Sequence, residues 1–217
     1  PEPYWKGNED FVRDEINHDF IYSCTFDAVP GLLDQEQVLL RFDGIDTIAD
    51  IYLNSTLLGH TYNMHRTWEF SVGGVLKAEG NKLEAVFHSP LEAATDAFAK
   101  CPTRGTEDAW DGFSHIRKAH YMYGWDWGAQ LPDIGIWRDL YLECYNAGRI
   151  EDVVIRQKHT WKERPQMGEL SQEEYIEAVE QSDTVSLSVE VKPEQDTNLE
   201  NTKVIVTLTD PKGVQLE

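Results

Sequence analysis

Basic residues are scarce in this sequence: 19 Lys and Arg stand against 39 Asp and Glu, a net charge of −20 over 217 residues. So acidic a chain repels phosphate backbones and anionic headgroups, which argues against nucleic acid and membrane surfaces as partners and suits a neutral ligand. Long apolar runs are missing as well. None approaches the roughly 20 residues that cross a bilayer, and no basic stretch followed by an apolar one marks a secretory leader. A cytoplasmic location is therefore expected, with the reservation that the sequence opens on Pro1 and not on Met. Cysteine is rare. Cys24, Cys101 and Cys144 are far apart, odd in number and without C-x-x-C spacing, which argues against a disulfide framework or a zinc ribbon. Cys144 lies in an apolar run and reads as a buried thiol. The histidine pairs His60/His65 and His115/His120 lack the i, i+4 spacing of a helical zinc pair, and H-E-x-x-H is absent. Neither a metal nor a cofactor is expected.

What is present is strand. Gln37–Phe42 and Ile48–Leu53 are short β-rich runs, and Asn54-Ser55 reads as a turn leading back into Thr56–Gly59. Leu83–His88 alternates after Gly80-Asn81. Ile136–Tyr145 reads as one strand with Ile136, Leu140, Leu142 and Cys144 on a common face. Helix signals are few. Ser89-Pro90 caps a short helix that should end near Lys100, before Cys101-Pro102. Ser171 and Glu174 form a capping box for a second helix to about Glu180, inside an acidic insertion over His159–Asp183. Thr184–Val191 and Val204–Leu208 alternate again, and Pro211-Lys212-Gly213 makes a turn. Many short strands with turns between them predict an antiparallel sandwich or jelly roll. A boundary is expected at Arg149–Ile150. The residues after it fall short of the roughly 100 of an immunoglobulin-like sandwich, so that second domain reads as partial.

The aromatic residues are unevenly spread. Trp110, Phe113, Tyr121, Tyr123, Trp125, Trp127 and Trp137 crowd into one stretch, with Asp111, His115, Arg117, Lys118, His120 and Asp126 between them. A sugar offers an apolar face that an indole can cover, and a hydroxyl rim that a carboxylate can accept from. The pattern leaves two readings open for Trp125-Asp126-Trp127. In a strand, the tryptophans enter the core and the aspartate faces solvent. In a loop, which Gly124 and Gly128 would permit, all three converge on a pocket. Arg66 and Arg117 either donate to a ligand or anchor loops to carbonyls. Asp43, Asp46 and Asn54 read as local caps, and Asn54-Ser55-Thr56 is formally a glycosylation sequon. Glu107, Asp108 and Asp111 either line the mouth of a pocket near Trp110 or form a solvated acidic loop, the second being the default for such a run.

Three segments resemble the N-terminal region of the β-mannosidases of glycoside hydrolase family 2. They are Phe42-Asp43-Gly44-Ile45-Asp46-Thr47 with Ile51-Tyr52-Leu53-Asn54 and Leu58-Gly59, then Asn63-Met64-His65-Arg66, then Arg117-Lys118-Ala119-His120-Tyr121-Met122-Tyr123-Gly124-Trp125-Asp126-Trp127-Gly128 followed by Gly135-Ile136-Trp137-Arg138. Together they span roughly residues 20–155. The resemblance implies an all-β chain: a galactose-binding-like jelly-roll sandwich over residues 1–149, then part of an immunoglobulin-like sandwich over 150–217. The family's catalytic TIM barrel is expected beyond 217, so no catalytic residue is expected in this chain. It also implies that Trp125, Asp126 and Trp127 contact the terminal sugar of a β-mannoside or related neutral glycan, in a subsite shared with the protein's own barrel. Arg117, His120 and Arg66 are candidate supports of that pocket. The parent would be a retaining glycosidase, with its two glutamates in the barrel. The sequence departs from the family pattern at Ala129, where the family has proline, and at His120, and both are expected to retune the loop. A stand-alone carbohydrate-binding module and the front end of a β-galactosidase or β-glucuronidase relative are the alternatives, the glucuronidase disfavoured by the acidic charge.

Overall fold

The structure is a computed structural model and describes residues 2–5, 7–146, 148–161, 166, 168, 170–180, 184–194 and 203–215. The chain divides into two compact units, Pro1–Asn146 and Ala147–Glu217.

The first unit opens with helix α1 (Asn8–Ile16), then β1 (Phe20–Phe26), β2 (Gln37–Phe42), β3 (Ile45–Asp46), β4 (Ile48–Leu53), β5 (Thr56–Tyr62), β6 (Trp68–Ser71), β7 (Asn81–Phe87) and helix α2 (Pro90–Lys100). After α2 come β8 (Tyr123–Trp125), β9 (Gly128–Gln130), β10 (Gly135–Ile136) and β11 (Leu140–Tyr145). Two antiparallel sheets make the sandwich, ordered β1-β7-β4-β5 and β11-β2-β6. The two-residue period sets the core. Ala49, Ile51 and Leu53 of β4 stand opposite Phe87, Ala85 and Leu83 of β7 on the inner face, and Val38, Leu40, Phe42 and Trp68 meet them from the other sheet. Each of the larger of these side chains, from valine upward, stabilises the fold by about 1.5–3 kcal/mol.

Local signals explain most of these elements. Asn54 and Ser55 both adopt positive φ (52° and 67°), the requirement of a tight hairpin turn between β4 and β5. The Asn54 side-chain amide donates to the Val75 carbonyl and to the Asn81 side chain, each at 2.9 Å, so it works inside the fold and not as an open sequon. Ser89 caps α2 by accepting from the Glu92 amide, and Pro90 takes the first turn. The run Ile136–Tyr145 is not one strand. It breaks at 137–139, where the Trp137 and Arg138 amides both donate to the Gly44 carbonyl, so β10 pairs with β3 and β11 with β2. Cys144 is exposed, not buried: it shares the face of β11 that carries Leu140 and Leu142 but lies near the end of this edge strand.

In the second unit, β12 (Ile150–Thr160) pairs antiparallel with β13 (Thr184–Pro193), with an irregularity at Ile150/Asp152. The insertion expected at His159–Asp183 is thus the connection of this long ribbon. It carries helix α3 (Gln172–Glu180), whose Ser171–Glu174 capping box is formed in both directions. Its residues 162–165, 167, 169 and 181–183 lie outside the described residues. Val204–Leu208 does not form the expected strand: no ladder partner stands beside it among the described residues, and alternation alone cannot satisfy a strand's backbone. The turn at Pro211–Gly213 is present, its amides drawn to Asp210.

Candidate functional site

Strands β8 and β9 form a hairpin that projects from the first unit. Tyr123 pairs with Gln130 and Trp125 with Gly128, so Asp126 and Trp127 are its two turn residues. Gly124 is required there. Its φ is +106°, and an added Cβ would lie 2.5 Å from the Gln130 Cγ and 2.8 Å from the Asp108 carbonyl. Gly128 has room and no such φ, so of the two glycines expected to allow the bend only Gly124 does so.

The three rings of the hairpin have different fates. Tyr123 is fully buried, and its hydroxyl donates to the Pro90 carbonyl at 3.5 Å. Burial, aided by the negative Asp46, pushes the phenol far above its ordinary pKa. Trp125 is 47% exposed and Trp127 is 83% exposed, with ring centroids 5.8 Å apart in an edge-to-face pair. Of the two sequence readings, the strand-core one therefore fails for the tryptophans. The Asp126 carboxylate is exposed and has no protein partner among the described residues.

The tip walls a cleft of about 490 Å³, completed by Tyr4, Glu9 of α1 and Asp108. Rings and carboxylates line it, and among the described residues no lysine or arginine does. Gln130 fixes its floor: its amide donates to Glu9 at 2.7 Å, its side chain donates to the Asp108 carbonyl at 3.1 Å and accepts from Arg13 at 3.1 Å. Neither Gln130 nor α1 was legible in the sequence. The helix starts at Gly7 without a side-chain cap and buries no residue, so it shows neither a cap nor an apolar stripe.

The other candidates stand elsewhere. Arg66 lies over the Trp68 ring at 4.5 Å and donates to the Thr67 carbonyl at 3.3 Å, the loop-anchoring role. His120 is exposed and meets the edge of Phe113 at 5.0 Å. Arg117 is exposed too, and its carbonyl accepts from the Met64 amide at 3.0 Å. None of the three lines the cleft. Two residues read as local caps are ion-paired instead: Asp43 pairs with its near neighbour Arg41 at 2.9 Å, and buried Asp46 pairs across the fold with buried Lys118.

These contacts show what the signature segments do. Asn63-Met64 bonds to Arg117 and Ala119, the Met64 sulfur accepting from the Ala119 amide at 3.1 Å. A Cβ on Gly44 would meet the Trp137 indole at 2.6 Å, so Gly44 is the seat of that ring. The three segments thus contact one another through Gly44–Trp137, Asn63–Arg117 and Met64–Ala119. A second cavity of about 400 Å³, lined by Arg41, Asp43, Thr67, Arg138 and Asp139, is less suited to a ligand. Its Arg41 is already held by Asp43, Glu69 and Glu143 at 2.9–3.1 Å, and Arg138 lies over Trp137 at 4.1 Å.

Residues 1–138 match the family described as glycosyl hydrolase 2 galactose-binding domain-like. Among curated proteins, a β-mannosidase of Mus musculus is 31% identical over 158 residues, covering 69% of this chain and 18% of its own length. β-Mannosidase B of Aspergillus terreus is 37% identical over 159 residues, covering 70% and 18%. The crystal structure of a β-D-mannosidase from Dictyoglomus thermophilum superposes with a TM-score of 0.67 at 34% identity, over 72% of this chain and 19% of that one. The chain thus spans about a fifth of the length of these relatives.

Proposed function

This chain belongs to glycoside hydrolase family 2, and we propose that it is the non-catalytic front region of a retaining exo-β-mannosidase-like enzyme, in which Trp125, Asp126 and Trp127 complete the terminal-sugar subsite. The observation that carries the reading is the hairpin tip, where two exposed indoles flank a carboxylate with no protein partner among the described residues. Indole faces suit the C–H face of a sugar, and a free carboxylate suits two neighbouring hydroxyls. A cleft lined by the carboxylates of Glu9, Asp108 and Asp126, with no cation among its described residues, favours a neutral glycoside over a glucuronide. The bond-cleaving glutamates belong, in this reading, to a barrel outside these residues, and the region from 150 is the start of an immunoglobulin-like sandwich.

The test is hydrolysis of aryl β-mannoside, β-galactoside, β-glucoside and β-glucuronide by the full-length protein. Preference for the mannoside is expected. Asp126→Ala should lower kcat/KM at least about tenfold, since a hydrogen bond to a charged group is worth roughly 1.5–3 kcal/mol. Unchanged kinetics would remove Asp126 from the subsite. A binding module that acts alone is the second reading, favoured by two exposed indoles beside a cleft that also carries three carboxylates, the groups with which a sandwich can hold a sugar without catalysis. It predicts saturable tryptophan fluorescence changes with mannose or mannobiose below the millimolar range, whereas a half-site predicts none.

A further inference from the structure

Burying an ammonium group is costly, yet the Lys118 side chain is 0% exposed in a chain whose acidic surface offers it many exposed partners. Its donors define what it joins. One goes to the Asp46 carboxylate on β3, 4% exposed, and one to the Asp133 carbonyl at 2.6 Å. The exposed Asp133 carboxylate stands 3.7 Å away. Lys118 immediately precedes the segment 119–132, which carries the hairpin, and Asp133 immediately follows it. One side chain therefore draws both ends of that segment together and fastens them to the sandwich. The pairing is incomplete as a stability device: the second Asp46 oxygen has no hydrogen-bond partner. Burial raises the Asp46 pKa, and the Lys118 charge only partly opposes it. Buried ion pairs of this kind are often no more stabilising than apolar residues of the same volume, so a reason beyond stability is needed for this one.

We propose that Lys118 is a positioning residue: the Asp46–Lys118–Asp133 clasp closes the base of the 119–132 segment and holds the Trp125-Asp126-Trp127 tip in place above the sandwich. The consequence for catalysis rests on the sugar-subsite reading; the clasp itself does not. A subsite works only when its supporting contacts hold it within a fraction of an ångström, and here one support lies out of reach of any ligand in the cleft.

The test is hydrogen exchange of the full-length protein read by mass spectrometry, comparing wild type with Lys118→Met and with Lys118→Met/Asp46→Asn. The double variant removes the clasp without leaving a buried charge alone, so it remains informative where the single variant does not fold. The expected result is exchange at least tenfold faster over 123–130, with β2, β4 and β7 protected as before. A tenfold or greater loss of kcat/KM on aryl β-mannoside should accompany it. Unchanged protection of the hairpin would overturn the proposal, and so would an equal loss of protection throughout the sandwich. Faster hairpin exchange with unchanged hydrolysis would support the clasp and instead refute the sugar-subsite reading.

Discussion

Replacing the three hairpin rings by alanine, one at a time, separates what holds the unit together from what the tip presents. Their exposures are 0% for Tyr123, 47% for Trp125 and 83% for Trp127. An aromatic side chain carries roughly 150–250 Å² of surface. Tyr123→Ala removes a fully buried ring beneath α2 and should cost about 3–5 kcal/mol. Trp125→Ala forfeits about half of an indole's area, roughly 100 Å², or about 2.5 kcal/mol at 25 cal/mol per Å² as an upper bound. Trp127→Ala forfeits only roughly 40 Å², about 1 kcal/mol. Urea unfolding of this chain followed by circular dichroism should rank the losses Tyr123, Trp125, Trp127. Activity should not follow that order. A sugar face covering roughly 60 Å² of the Trp127 ring is worth about 1.5 kcal/mol, or about tenfold in kcat/KM. Trp127→Ala is then the variant that loses activity while barely losing stability. A Trp127→Ala chain as unstable as Tyr123→Ala would show that the ring is packing, and the reasoning would fail.

Two further outcomes follow from the same geometry. Gly→Ala changes at permissive positions stabilise by about 0.4–1 kcal/mol, but Gly124→Ala combines a φ of +106° with a Cβ only 2.8 Å from the Asp108 carbonyl, so it should instead destabilise by more than about 1 kcal/mol; a thermal midpoint within one degree of wild type would contradict this. His88 loses proton affinity to burial, but hydrogen bonds to Asp19 (2.9 Å) and Asp50 (3.2 Å) outweigh that and raise its pKa above 6.5. Its contribution is complete below pH 6.5 and is lost as pH rises through the folded-state value, so His88→Gln should flatten the fall in thermal midpoint between about pH 6 and 8. An unaltered slope would argue that His88 is not the titrating group.

The sequence made the inner strands readable because their residues alternate strictly, as in β4 and β7. It hid β1, exposed nearly along its length at the sheet edge, and α1, which lacks both a cap and an apolar stripe. At the site, residue type pointed to Trp125, Asp126 and Trp127, but the side to which the rings point was undecidable from period alone. The hairpin decides it, because it puts two of the three residues in a turn. Asp46 illustrates a different limit. Beside a turn, an aspartate reads as a cap, and its true partner Lys118 lies 72 residues away in sequence. Gln130 gave no signal at all: a glutamine's usefulness here depends on α1, Asp108 and β9 arriving together.

The two departures from the family pattern can now be weighed by position. His120 sits on an exposed turn against Phe113, outside the cleft, so a change there acts on the outer surface of the segment and not on the cleft. Ala129 lies between the bonded pairs Trp125–Gly128 and Tyr123–Gln130. Ladder bonds alternate, so the Ala129 amide points away from β8, and a proline at this position would cost the hairpin no cross-strand bond. Alanine in its place changes the lining of the cleft and leaves its frame as it was. The expectation that both substitutions retune the loop therefore narrows to one: Ala129 alters the shape offered to a ligand, whereas the position of the tip is set by Gly124, Gln130 and the Lys118 clasp.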